Sequence, residues 1–325
     1  MTLAGSIPPI HILASIMSDP RVLGETAAVC TSALWTVCAI LFASAGKRIG
    51  ALSVNAYRVV MATVLLATAH LIAFGTVVPH ASGNQWFYMG LSGVIGLAIG
   101  DFGYFGALIM IGPRRGVLLM SMAPIFSAVT AYFVLGEVLS AWNLAGIALT
   151  LAGVFVVILD ENVHASEVSP TRAHKFYGVL CGLGGSLGQG ISLVVSKYGM
   201  VVAGGQGAPP LNPLSATLVR MIVAATSVWL IVVASGRLPS VLASRKDSKA
   251  ILRTSGGALT GPFLGVWLSM VAVTHTVAGV AATLMSLMPV MVIPVLWLVY
   301  RQKTSWRGIV GAATTVVGVA ILFLR

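Results

Sequence analysis

Ten stretches of this chain are each long and apolar enough to cross a bilayer, and that constrains its fold more than any motif does. A spanning helix needs about 20 mostly apolar residues to cross roughly 30 Å of hydrocarbon. Read between clusters of Gly, Pro, Asn and charge, the first-half spans are 22–45, 52–74, 85–111, 116–136 and 142–159. The second-half spans are 176–199, 213–235, 254–277, 280–300 and 306–324. Only 8% of the 325 residues are charged, against roughly 25% in an ordinary soluble domain, which excludes a soluble globular fold. Within lipid a helix satisfies its own backbone hydrogen bonds. The expectation is therefore an all-α integral membrane protein with ten transmembrane helices, multi-pass in the cell (cytoplasmic) membrane. Residues 1–21 read as an N-terminal interfacial segment or tail, and 161–175 as a polar connector between a first unit, 22–160, and a second, 176–325.

The two units repeat. A shift of 165 residues superposes Gly96 on Gly261, Gly100 on Gly265, Ser121 on Ser286, Pro124 on Pro289, Ser140 on Ser305, Gly146 on Gly311 and Gly153 on Gly318. Apolar sequence matches itself by chance at Leu, Val and Ala, but matched Gly, Pro and Ser at one offset are much harder to obtain. Arg58 and Arg220 stand in equivalent places at an offset of 162. Five spans per copy is an odd number, so the second copy enters the bilayer from the opposite side. Inverted repeats of this kind build secondary transporters, with a central cavity at the repeat interface and alternating access by rocking.

The net charge of +11 is a topology signal. Fourteen of the 19 Lys and Arg residues fall in odd-numbered loops, which places those loops in the cytoplasm and both termini outside. No basic, aromatic-interleaved patch suggests nucleic acid as a partner. Cys30, Cys38 and Cys181 lie inside apolar runs without CxxC spacing, so neither a disulfide framework nor a metal site is expected. No ATP-binding motif is present, and no cofactor is expected. The partners expected are the lipid bilayer, a small-molecule substrate and coupling protons.

The segment SMAPIFSAVTAYFVLGEVLSAWNLAGIALTLAGV, from Ser121 to Val154, and its partner from Ser286 to Val319 resemble the paired repeats of the EamA family of the drug/metabolite transporter superfamily. Pro124, Glu137, Gly146 and Gly153 stand at the family spacing, and the resemblance covers about 22–324. It implies a ten-helix exporter of small metabolites, commonly amino acids, with a cavity between the halves. It also implies cytoplasmic termini, opposite to the loop charges. The second copy departs from the family pattern with Gln302 where the first has Glu137.

Candidate functional residues follow from cost. Asp101 is the one acid near the middle of a span, where an ionisable group costs at least about 2.5 kcal/mol and so faces a cavity or a partner. It reads as a proton-coupling or ammonium-binding carboxylate, or as half of a structural ion pair. Arg58, Arg220 and Glu25 read as gate or interface ion-pair residues, Glu25 also as a carboxylate complementing the start of the first helix, and Lys197 as an interface anchor. Pro124 and Pro289 kink their helices by removing a hydrogen bond, which places Ser121 and Ser286 beside freed carbonyls as substrate contacts. Gln189, with Ser186 and Ser192, supplies polar contacts from the Gly-rich sixth span, whose CGLGGSLGQGIS lacks nucleotide-binding spacing. Trp35, Tyr104, Tyr132 and Trp267 lie well inside spans, where indole and phenol groups seek polar partners; they are candidate cavity walls. The Gly96/Gly100 and Gly261/Gly265 pairs read as close-packing motifs.

Two other function classes fit parts of the sequence. A passive channel or facilitator has the same hydropathy. GLSG at 90–93 resembles the serine loop of rhomboid intramembrane proteases, with His275 as a candidate base for Ser92. His275 is otherwise a substrate or coupling candidate. The repeat favours a carrier, not an enzyme, exporting small polar metabolites, foremost amino acids.

Overall fold

A computed structural model describes residues 19–111, 113–159, 172–205, 209–291 and 305–324, and every regular element among them is helical. Nine helical segments are long and apolar enough to cross a membrane, and a shorter apolar helix covers Ala278–Met291. The expected N-terminal segment lies outside the described residues except for its last few, as do Gln302 and most of the connector.

The elements start and stop where local chemistry requires. α1 (Pro20–Ile49) opens on Asp19, whose carboxylate accepts from the Arg21 N–H at 2.9 Å, with Pro20 supplying a ready-made first helical φ. Glu25 therefore lies beyond the first turn, and the role of helix-start carboxylate expected of it belongs to Asp19. Gly50, at φ 80°, turns the chain directly into α2 (Ala51–Phe74), which ends on the left-handed Gly75. Ser82 and Gln85 form a reciprocal capping box at the start of α3 (Gly83–Ser92). Asn212 caps the helix Pro213–Ala234, and Ser140 and Ser305 accept from Asn143 N and Gly308 N as expected of N-caps.

The third span is not one regular helix. α3 passes into a π-helical stretch, Gly93–Gly100, and then into α4 (Asp101–Ile111). The eighth span repeats the pattern: α11 (Ser248–Ala258), π-helical Leu259–Gly265, then α12 (Val266–His275). The π-helical stretches lie one 165-residue register apart, to within a residue. Pro262 contributes to the second by removing a donor. Between these lie α5 (Pro113–Met120), α6 (Ala123–Leu135), α7 (Ala141–Leu159), α8 (Arg172–Val201), α9 (Pro213–Ala234) and the short α10 (Leu238–Ala243). α13 (Ala278–Met285) and α14 (Trp306–Phe323) complete the set.

The proline kinks take a sharper form than a bend. Both helices are interrupted at Ser121–Met122 and Ser286–Leu287, and each resumes with Pro124 or Pro289 in its first turn. The two serines spend their hydroxyls locally: Ser121 Oγ donates to Val117 O at 2.9 Å and Ser286 Oγ to Thr283 O at 2.7 Å.

Lipid tails offer no hydrophobic drive between helices, so packing rests on close backbone approach. α7 and α14 meet through Gly146, Gly153, Gly311 and Gly318; a Cβ added at Gly153 would stand 2.5 Å from Thr315 N and 2.6 Å from Gly311 O. The third span packs on α8 and α9, and the eighth span packs on α1 and α2. Equivalent glycines make these contacts: Gly96 abuts Ser192 and Gly100 abuts Gln189, while Gly261 abuts Cys38 and Gly265 abuts Trp35. The outer surface is apolar, with Ile72 and Phe133 largely exposed. Tyr132 lies on that outer surface at 57% exposure, so it walls no interior cavity.

Candidate functional site

Among the described residues, two groups built on buried ion pairs interrupt the apolar interior. The inner one is built on Asp101, the residue at which the third span returns from π to α geometry. Its Oδ2 pairs with Arg58 Nη2 from α2. Its Oδ1 accepts from Gln189 Nε2 of α8 at 2.8 Å, and that amide nitrogen also lies 3.1 Å from Gly96 O. Arg58 Nε donates to Asn55 Oδ1 at 2.7 Å, and the rings of Phe42 and Phe105 stand 5.5 and 5.6 Å from the guanidinium carbon. Arg58 and Asp101 are both buried, 9% and 8% exposed, so neither reaches an interface by snorkelling. A buried pair of this kind survives only when its remaining lone pairs and protons are engaged; here Asn55, Gln189 and the two rings do that.

Arg220 lies deeper still, 4% exposed, on α9. Its Nη2 donates to Ser192 Oγ at 2.6 Å, and Ser192 Oγ in turn donates to Ser92 O at 2.8 Å. Its Nη1 meets only the Met270 sulfur, at 3.7 Å, and its Nε has no partner. Ser92 contributes a carbonyl here, and its own hydroxyl donates to Met89 O at 2.7 Å.

The outer group surrounds a cavity of about 370 Å³ lined by Arg21, Glu25, Asn143, Lys197, Thr274, His275, Thr276, Val277 and Val280. Glu25 is fully buried; its Oε1 pairs with Arg21 Nε at 2.9 Å, while Oε2 has no partner. Arg21 also donates to Leu322 O at 2.5 Å, tying the start of α1 to the end of α14. In the same lining Lys197 pairs with Glu137 Oε1 at 2.5 Å and donates to Thr276 O at 2.6 Å, and Glu137 Oε2 accepts from Ala278 N at 2.8 Å. Glu137 therefore caps α13 and fixes the short turn between α12 and α13.

The candidates named from sequence are spread over several places. Asp101, Arg58, Gln189 and Arg220 form or adjoin the inner group, with Ser192 joining them. Tyr104 is within electrostatic reach of Asp101 and stacks obliquely with Phe105 at 5.8 Å. Trp35 presents its indole nitrogen to Gly265, and Trp267 pairs with Phe263 at 6.4 Å. Glu25 and His275 line the outer cavity, at the end of the bundle marked by the start of α1 and the end of α12. Ser121, Ser286, Pro124 and Pro289 mark the two helix breaks. Sequence reasoning missed Asn55 and the Glu137–Lys197–Ala278 latch; the family-spaced Glu137 directly after Gly136 was the available signal.

The family model "EamA-like transporter family" matches the chain twice, over residues 22–159 and 176–324. No curated protein matches. A solved structure described as "Crystal structure of protein" superposes with a TM-score of 0.71 at 18% identity, over 93% of this chain and 96% of that one. That likeness is one of fold. With two matches that together span nearly the whole sequence, the chain belongs to the EamA-like transporter family, whose members are multi-pass membrane transporters rather than enzymes.

Proposed function

We propose that the protein is a secondary transporter that exports small polar metabolites, foremost amino acids, by alternating access between two inverted five-helix repeats. In this reading the ten spans are completed by the helix that begins at Ala278, the membrane is the cytoplasmic one, and Asp101 couples transport to protons or holds a substrate ammonium. The observation that carries the reading is where the cavity stops. It is lined from one end of the bundle, and its lining includes none of Arg58, Asp101, Gln189 or Arg220. A cavity at one end of the bundle whose described lining is separate from a buried charge network suits a carrier better than an open channel. The matched π-helical stretches, helix breaks and arginines support the repeat, and half-matched units rocking about such features are a known route to alternating access.

The test is counterflow in proteoliposomes with labelled amino acids, sugars and nucleosides. Saturable exchange of amino acids supports the proposal, and conduction without counterflow or saturation makes the protein a passive channel. Exchange with normal pH dependence in D101N removes the coupling role from Asp101.

A further inference from the structure

Arg58 and Arg220 are counterparts in the two halves, yet only one is held in an ion pair. Arg58 pairs with Asp101 and lies against Phe105. One 165-residue register later, Asp101 corresponds to Val266 and Phe105 to Met270, and Arg220 does lie against Met270. The second half thus rebuilds the surroundings of the arginine and omits its carboxylate. Among the described residues no carboxylate lies within ion-pair distance of Arg220, and of its five N–H donors one meets an oxygen, Ser192 Oγ. A buried guanidinium without a counter-charge is expensive, and removing one partner of a buried pair costs several kcal/mol in other proteins. A ligand anion arriving at Arg220 would remove that cost.

We propose that Arg220 is the anion-recognition residue of the translocation site and takes the carboxylate of a monoanionic or zwitterionic metabolite, which restores the pair that Asp101 supplies in the first half. The proposal rests on the transporter reading above and deepens it. The class follows from charge: one Asp101 against two guanidiniums leaves an excess of one positive charge, which suits a carboxylate better than a doubly charged phosphate ester. Gly96, inside the π-helical stretch, brings bare backbone against this end of Arg220: an added Cβ would stand 3.0 Å from Nη2 and 2.8 Å from Ser192 Cβ. Such π stretches recur at functional sites. A carboxylate meets a guanidinium through two parallel hydrogen bonds, and Nε together with an Nη offers that fork once Met270 gives way.

The test uses the full chain in detergent and in proteoliposomes, with L-leucine, L-glutamate and succinate as carboxylate probes. Leucinamide, uridine and glycerol 3-phosphate are the carboxyl-free controls. At least one carboxylate probe is expected to raise the melting temperature of the wild type while leucinamide does not. In R220Q that affinity falls about tenfold or more, R220K keeps part of it, and V266D, which supplies the missing carboxylate within the chain, loses it. R220Q itself is expected to melt no lower than wild type, since it removes an uncompensated charge. The inference is overturned if no carboxylate probe binds, if leucinamide or glycerol 3-phosphate binds better, or if R220Q binds as wild type does. Binding without counterflow leaves the inference standing and defeats the transporter reading.

Discussion

Replacing Asp101 by Asn should cost more than replacing Arg58 by Gln, although the two residues share one ion pair. The side chains of the pair are 11% and 12% exposed, so solvent screens them weakly, and breaking a buried pair by removing one partner costs about 3–5 kcal/mol. In R58Q the Asp101 carboxylate keeps the Gln189 hydrogen bond at 2.8 Å and stays within electrostatic reach of Arg220. The loss should then be nearer 2 kcal/mol, below that range. In D101N two buried guanidiniums remain with no acid between them, and the loss should reach about 3 kcal/mol or more. The double variant R58Q/D101N removes both members and leaves only Arg220 without an acid, so it should cost no more than D101N alone, about 3 kcal/mol or less, and well below the sum of the singles. Equilibrium unfolding of the full chain in mixed detergent micelles reads all three. Equal costs for the two single variants would refute the shared role given to Asp101, and a double variant costing the sum of the singles would show that the pair is not coupled at all.

Three further outcomes follow from the packing and the caps. G153A should lose about 1–3 kcal/mol, because its Cβ would meet the backbone of Thr315 and Gly311; G184A, with nothing within 4 Å of its Cβ, is the neutral control, and equal unfolding midpoints would sink the argument. The Asp247 carboxyl, which accepts from Arg48 Nε at 2.8 Å and from Ala250 N at 3.0 Å, is held below its ordinary value of 3.8, first by Arg48. Its contribution is present in full above that ordinary value and lost as pH falls through the lower folded value. The gap between wild type and D247N, measured by unfolding across acid pH, should therefore close on acidification, and a gap that widens would reverse the sign. E137A should cost about 1–2 kcal/mol through the lost cap on α13, while E137Q, whose amide oxygen still accepts from Ala278 N, should cost less; equal losses would make the Lys197 pair the dominant contact.

Span positions were legible because they depend on runs of apolar residues. The expected 52–74 became Ala51–Phe74 and 306–324 became Trp306–Phe323. The eighth span began six residues earlier than expected, at Ser248, because Lys249 and Arg253 had been read as loop charges whereas Asp247 caps a helix that already includes them. The start of α1 was signalled by Asp19–Pro20, a cap followed by proline, and passing over it put Glu25 at the helix start. Rotation was much less legible. Spans apolar all round carry little moment, so nothing in the sequence said whether Arg58 turned toward lipid or toward Asp101; only the scarcity of acids pointed to the pair. The π-helical stretches left no signature of their own, since GVIGLAIG is compatible with either backbone, although the register that matched Gly96 to Gly261 and Gly100 to Gly265 marked the places where they occur.

The same register locates the one departure from the family pattern. Glu137 accepts from the N–H of Ala278, the first residue of α13. In the other copy the counterparts are Gln302 and Pro113, and Pro113 is the first residue of α5. Proline has no N–H to donate, so the start of α5 offers no donor equivalent to the Ala278 N–H. The two copies start these helices differently: the first by proline preorganisation at Pro113, the second by a charged cap held in an ion pair with Lys197. Two repeats descended from one pattern have here divided a task that needs either device once. The capped turn between α12 and α13 borders the outer cavity, and it is held by an ion pair and a hydrogen bond. The Pro113 start, by contrast, is fixed in the covalent chain.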